Sequence, residues 1–409
     1  MRIIIYNLFI RIYNILIHLI SPFHDKAHSF VLGRKKIFSK IEREIVRDTP
    51  IIWFHCASLG EFEQGRSVIE RLKEEFSNYK VLLSFFSPSG YEVRKTYQHA
   101  DYIYYLPLDT KSNAEKWVNI IKPKAAFFIK YEFWYHYINE LKKNNVPLFS
   151  VSSIFREEQI YFKSYGKFNR SILHQFTYFF VQDNKSIDLL NSIGIENKVV
   201  SGDTRFDRVK TIRSSAIEIP IAEAFSNNHR VFIVGSSWQD DLDVLAPFIN
   251  QNDEDVKFII APHEVYEMGI KNIENQIDRK TIRYSKATIE DVANYDVMII
   301  DNVGMLSSLY QYGDYAYIGG AFGKGLHNIL EAATFGMPIF FGDRRYKKFK
   351  EARDLIQLEG AFAIHDYHAL KEKYSRLNLE VASVTTQSYV EGNVGATDKI
   401  MNICKNYLN

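Results

Sequence analysis

From Ile51 onward the chain alternates short apolar runs with amphipathic stretches of helical period. The alternation predicts strands at 51–55, 81–86, 102–106, 125–129, 148–152 and 178–181. Helices are predicted between them, at 61–76, 90–97, 113–121, 134–144 and 185–193. A strand-then-helix order of this kind builds a parallel sheet, since each crossover lays a helix on one face or the other. Residues 207–229 break the pattern with a polar, proline-containing stretch that lacks any strand period. It then resumes, with strands at 231–234, 257–261, 297–300, 315–318 and 339–341 and helices such as 240–250 and 328–335. Two α/β domains are therefore expected, 47–208 and 230–409, joined by a linker at 209–229, with the last helix free to pack back on the first domain. A length of 409 residues agrees, being too great for one compact core. Ligands of such sheets bind outside the carboxyl ends of the strands, so the crevice between the domains is the expected site.

The segment ahead of this pattern, 1–46, is different in kind. Residues 3–21 are the most apolar stretch of the chain, yet Asn7, Arg11, Asn14 and His18 interrupt them, which weakens a spanning reading. No small-residue cleavage site follows, which argues against a signal peptide. Arg34, Lys35, Lys36, Lys40 and Arg43 come soon after. An apolar helix backed by a basic cluster suits an anionic membrane face, so membrane association is expected, with the cluster on the cytoplasmic side. The alternative is a helix packed on the domain core with solvated lysines behind it. Elsewhere charge is balanced, with Lys+Arg 51 against Asp+Glu 49, and no nucleic-acid partner is expected. Two cysteines exclude a disulfide framework and any Cys-rich zinc module.

Three turns at strand ends of the first domain carry polar groups. His55-Cys56-Ala57-Ser58-Leu59-Gly60-Glu61 follows a strand and opens a helix. Gly60 permits a tight turn, Ser58 suits the cap, and Glu61 would point into the crevice. A carboxylate there can act as general base on a substrate hydroxyl, or merely complement the helix dipole. Ser87-Pro88-Ser89-Gly90 offers hydroxyls and N–H groups to an anion. Lys130-Tyr131-Glu132-Phe133-Trp134 brings a second carboxylate to the same edge, unless Glu132 and Trp134 only fasten a helix to the sheet.

In the second domain, Gly235-Ser236-Ser237-Trp238 precedes an acidic helix start and suits a phosphate. Asp241-Leu242-Asp243 fits the first turn of that helix better than a metal site, and no metal is expected. The sharpest segment is Gly319-Gly320-Ala321-Phe322-Gly323-Lys324-Gly325-Leu326-His327-Asn328, running into a helix with Glu331 one turn down. It lacks the spacing and the Ser/Thr of a P-loop, and the glycine offsets of the dinucleotide fingerprint. What remains is a flexible backbone cradle, with Lys324, His327 and Asn328 for a phosphate or carboxylate and Glu331 for sugar hydroxyls.

Taken in this order, Ser58-x-Gly60-Glu61, Ser-Pro-Ser-Gly90, Glu132-Phe-Trp134 and the late Gly-Lys-Gly-Leu-His-Asn-x-x-Glu331 resemble one family, the 3-deoxy-D-manno-octulosonic acid (Kdo) transferases. These attach Kdo to the lipid A precursor of Gram-negative envelopes. Val181-Gln182-Asp183, Gly202-Asp203-Thr204-Arg205-Phe206-Asp207 and Leu32-Gly33-Arg34 extend the likeness over nearly the whole chain. The resemblance implies a GT-B α/β fold, in which two Rossmann-like domains face each other across a cleft behind an N-terminal membrane-associating helix. It implies inverting transfer, without metal or cofactor, from CMP-Kdo to a glucosamine hydroxyl of the lipid A precursor (lipid IVA) at the cytoplasmic leaflet of the inner membrane. Glu61 is then the general base, with Glu132 beside it. Ser58, Gly60, Ser87, Ser89, Gly90, Arg34 and Lys35 fall to the acceptor. Gly235, Ser236, Ser237, Pro262, His263, Gly323, Lys324, Gly325, His327, Asn328 and Glu331 fall to the donor.

Two departures bear on the donor. Ala261-Pro262-His263 stands where the family has Pro-Arg-His, and Leu326 replaces a second glycine before the histidine. A cation for the donor's phosphate or carboxylate must then come from elsewhere, from Lys324 or an arginine such as Arg205. Rival readings that keep the glycine-rich loop are a GT-B enzyme using a UDP-sugar, a sugar-nucleotide epimerase, and a non-catalytic lipid-binding scaffold.

Overall fold

The structure, a computed structural model, describes residues 2–252 and 255–408. The chain divides into two units, one made of residues up to Arg208 together with those from Val394 onward, the other Val209–Asn393. In the first, β1 (Ile51–Cys56), β2 (Lys80–Phe85), β3 (Tyr102–Tyr105), β4 (Pro123–Ile129), β5 (Leu148–Ser153), β6 (Tyr178–Val181) and β7 (Lys198–Val200) form one sheet. Their order is β3-β2-β1-β4-β5-β6-β7, every neighbouring pair parallel. Successive side chains of β1 go to opposite faces, and all of them are buried. Trp53 packs with Trp117, Phe128 and Tyr137 on one face, and Phe54 with Phe127, Phe149 and Phe62 on the other. Neither face meets water, which is why these strands read as unbroken apolar runs. The helix Ala396–Leu408 lays Ile400, Met401, Cys404 and Leu408 on the Phe54 face.

Strand order reverses at β1, with β2 and β3 to one side and β4 onward to the other. Crossovers diverge at such a switch point and leave a crevice outside the carboxyl ends of the two flanking strands. The second unit repeats the device. Strands β8 (Arg230–Ser237), β9 (Val256–Pro262), β10 (Thr281–Arg283), β11 (Val297–Ile299), β12 (Tyr315–Ile318), β13 (Ile339–Gly342) and β14 (Ala361–Ile364) lie in the order β10-β11-β9-β8-β12-β13-β14. Its pairs are parallel too, and its reversal falls between β8 and β12.

Ahead of the first sheet stand α1 (Arg2–Ile20), α2 (Asp25–Leu32) and α3 (Ile37–Glu44). Only Ile10 of α1 is buried, while Ile4, Leu8, Phe9, Ile15, Leu16 and Leu19 are exposed. The segment Arg2–Phe23 is long and apolar enough to cross a membrane.

The stretch expected as a linker is largely helical, as Arg205–Ser214 and Pro220–Ser226, and from Val209 it belongs to the second unit. Pro220 opens its helix, where a missing N–H costs nothing. The helix expected at 328–335 contracts to Leu330–Ala333.

Candidate active site

The helix α4 (Leu59–Glu75) starts where β1 ends, with Ser58 extended at the cap (φ −144°, ψ 179°). The Ser58 hydroxyl does not cap the helix backbone; it donates to Glu61 Oε2 and so fixes the half-buried carboxylate in the first turn. Gly60 is exposed inside the helix, has an ordinary helical backbone and has room for a Cβ, so no tight turn depends on it. The second carboxylate, Glu132, follows β4 on a loop that Lys130 enters with a left-handed φ of 62°. Trp134 Nε1 donates to Glu132 Oε2 at 2.7 Å, and His55 Nε2 lies 3.4 Å from the same oxygen. The buried Cys56 thiol is pushed well up by burial and then by the negative charges of Glu61, Glu132 and Glu63. Both acids therefore act on one point at the carboxyl end of β1.

The loop after β2 joins them. Ser87 N donates to Ala57 O at 2.7 Å, and the Phe86 and Trp134 rings lie 4.8 Å apart. Ser87 caps the short helix α5 (Pro88–Arg94) by accepting from Ser89 N at 3.3 Å, and its hydroxyl lies 3.0 Å from that of Ser89. Gly90 is buried for packing rather than for a ligand: a Cβ there would sit 2.3 Å from the Phe85 ring. Phe86, Ser87 and Pro88 also line an open, mostly apolar groove of about 620 Å³ with Tyr13, Leu16 and Ile20 of α1.

Arg34 does not belong to the acceptor side. Its guanidinium donates to Leu106 O at 2.8 Å, Phe86 O at 2.6 Å and Phe30 O at 3.0 Å, against the Phe30 and Tyr105 rings. Burial pushes its pKa down to about 9, partly offset by nearby tyrosine hydroxyls, Tyr105 first. The preceding Gly33 is needed because a Cβ would strike the Tyr105 ring at 2.1 Å. Lys35 is exposed and lines a cavity of about 720 Å³ with Arg11, Lys36 and part of Arg34 itself.

The second cluster stands at the β8/β12 switch. Gly235 leaves no room for a Cβ, which would lie 2.2 Å from the Tyr310 hydroxyl. Ser236 adopts a left-handed φ of 54°, and the buried Ser237 Oγ has no hydrogen-bond partner among the described residues. Asp241 clasps this loop to the glycine-rich one, accepting from Trp238 N at 2.9 Å, Gly320 N at 2.9 Å and Tyr317 OH at 2.8 Å. Burial raises its pKa and those three bonds pull it back. Gly320 is obligatory: φ is +91°, and a Cβ would meet Gly325 O at 2.5 Å.

His263, beyond Pro262 at the end of β9, stacks on Trp238 at 4.5 Å and on His327 at 4.4 Å. Trp238 Nε1 donates to His327 Nε2 at 3.0 Å. Burial, then the neighbouring His263, push the His327 pKa down to about 4, so this ring brings no positive charge to a ligand at neutral pH. The cations beside this loop are Lys324, 5.3 Å over the Trp238 ring, and Lys348, whose Nζ lies 3.8 Å from where a Gly325 Cβ would stand. Arg205 does not supply one, because it chelates Asp203 in the first unit at 3.0 and 2.7 Å. Asn328 Nδ2 donates to Glu331 Oε1 at 3.0 Å, and Gly323 abuts Asp240. Among the described residues, no group of three or more His, Cys, Asp or Glu side chains could hold a metal ion.

Sequence reasoning gave His55 and Lys348 no role, and took Asp241 only as part of a helix's first turn. A lone histidine in the apolar run of β1 is the one local signal among them.

Two Rossmann-like parallel sheets, each with polar loops at its switch point, make this a GT-B fold. Solved structures share it over most of their length. A MurG of Acinetobacter baumannii matches with a TM-score of 0.56 at 11% identity, covering 88% of this chain and 99% of that one. A UDP-GlcNAc 2-epimerase of Neisseria meningitidis matches at 0.57 and 14%, covering 86% and 98%. Residues 32–208 match the family model of 3-deoxy-D-manno-octulosonic-acid transferase (kdotransferase). A 3-deoxy-D-manno-octulosonic acid transferase of Rickettsia typhi is 24% identical over 398 residues, 94% of this chain and 86% of its own length. The chain is thus similar to Kdo transferases along most of its length, and is a glycosyltransferase.

Proposed function

We propose that the protein transfers Kdo from CMP-Kdo to a glucosamine hydroxyl of the lipid A precursor, lipid IVA, with inversion and without a metal ion. The observation that carries this reading is the pair of carboxylates at the β1/β4 switch, Glu61 held by Ser58 and Glu132 by Trp134. Glu61 takes the proton of the attacking hydroxyl. The freed oxygen bonds to the anomeric carbon of Kdo, and the bond from that carbon to the phosphate oxygen breaks. CMP leaves with the electron pair. Glu132 accepts from a second hydroxyl of the acceptor sugar and holds it in line.

On the donor side, the backbone of Ser236 and Ser237, the free Ser237 hydroxyl, and Lys324 and Lys348 meet the phosphate and carboxylate. The acyl chains of the acceptor lie in the groove between α1 and Ser87, with α1 on the cytoplasmic leaflet of the inner membrane and Lys35 and Lys36 toward anionic head groups.

The test is an assay with purified protein and lipid IVA, read by product mass. CMP-Kdo is expected to add Kdo mass in the presence of a chelator, and UDP-sugars to add nothing. A product formed only from a UDP-sugar, or lipid binding with no product from any donor, contradicts the proposal.

A further inference from the structure

Glu132 has a neighbour that the reaction above does not use. His55 is fully buried on β1, at 0% exposure. Its Nε2 lies 3.4 Å from Glu132 Oε2. Trp134 Nε1 is 3.2 Å from the same Nε2, but its single hydrogen goes to the nearer carboxylate oxygen at 2.7 Å.

Across the ring, Nδ1 lies 2.9 Å from Ser84 Oγ, and that oxygen accepts the indole N–H of Trp53 at 2.7 Å. The indole fills one lone pair and leaves the hydroxyl its own hydrogen. Nδ1 is the nearest acceptor for it, since Phe54 O is 3.3 Å away. A hydroxyl hydrogen on Nδ1 puts the ring proton on Nε2, where a carboxylate requires one. The other tautomer would donate from Nδ1 to Ser84 O at 3.2 Å and turn a bare lone pair toward Glu132.

We propose that His55 is a positioning residue for Glu132: Ser84 fixes its tautomer, and Nε2–H, with the Trp134 indole, orients the carboxylate. The inference rests on reading Glu132 as a working group of the transfer site. The other titratable groups facing Glu132 are Cys56 of β1 and Tyr161 of the turn Ile160–Phe162. Burial pushes both up, so both are uncharged at neutral pH and leave the N–H donors to stabilise the charge.

Two readouts on the full-length protein test this. In ¹⁵N-histidine spectra, the signal lost in His55→Gln is expected to report an Nε2–H ring, which Ser84→Ala shifts toward Nδ1–H. An Nδ1–H ring in the wild type overturns the proposal, whatever substrate the protein takes. In kinetics with CMP-Kdo and lipid IVA, His55→Asn is expected to lower kcat about tenfold, with KM little changed. His55→Gln, which restores an N–H near the Nε2 position, should recover most of the rate, at unfolding temperatures that show each variant folded. Wild-type behaviour of His55→Asn beside an impaired Glu132→Gln overturns the proposal. A fully active Glu132→Gln overturns instead the reading of Glu132 on which it rests, and leaves His55 a packing residue.

Discussion

The hydroxyl of Ser58 and the indole N–H of Trp134 each aim a hydrogen at a carboxylate, and such charge-assisted bonds hold an acid in one rotamer. His327 works the other way, as a neutral acceptor beneath Trp238. Its ring pKa falls from 6.5 to about 4 on folding, so between those values the unfolded chain binds a proton that the folded one does not. Stability of the second unit must then fall as pH drops through that window. Thermal unfolding between pH 7 and 5 should show a steeper loss in the wild type than in His327→Gln, and equal slopes would contradict the assignment. Glu61, Glu132 and the glycine-rich loop could be read from the chain because each motif is local. His55 and Asp241 could not, since their partners arrive from far along the chain. Ser84 is 29 residues from His55, and Tyr317 and Gly320 are 76 and 79 from Asp241.

At the scale of elements, one arginine ties α2 to the sheet. Arg34 follows the end of α2 and reaches the carbonyls of Phe86 and Leu106, just beyond the ends of β2 and β3. Arg34→Ala would leave buried carbonyls without donors, at about 1–3 kcal/mol each. We expect it to lower the unfolding temperature by several degrees and to open the first helices to proteolysis. Arg34→Lys should be nearly as harmful, because an ammonium cannot serve the carbonyls in a fork. Lys35→Ala, at an exposed position, should leave stability unchanged. An Arg34→Ala protein as stable as the parent would return that side chain to the ligand side. The basic cluster after α1 reads as uniform in sequence, and only the carbonyls around Arg34 set this half-buried member apart from the exposed Lys35 and Lys36. Strand assignment failed at β7, β10 and β14, which lie at sheet edges and hold partly exposed residues, so no fully buried apolar run marks them.

Across the whole molecule, one arrangement occurs twice: a seven-stranded parallel sheet whose order reverses beside the loops that carry the polar groups. Apolar periodicity predicted parallel sheets and two units, because runs buried on both faces require covering helices. It could not predict strand order, since period carries no record of which strand pairs with which. The final helix, expected as free to pack back on the first domain, lays Ile400, Met401 and Cys404 on a core begun by β1. In the proposed reaction the switch points set the placement, with acids at the first and an anion cradle at the second. The account turns on proton removal by Glu61. Its most direct test is the single-turnover rate of Kdo transfer to lipid IVA by Glu61→Gln, with donor binding measured separately. We predict a rate about 100- to 10,000-fold lower with donor affinity retained; a rate equal to that of the parent would contradict the account.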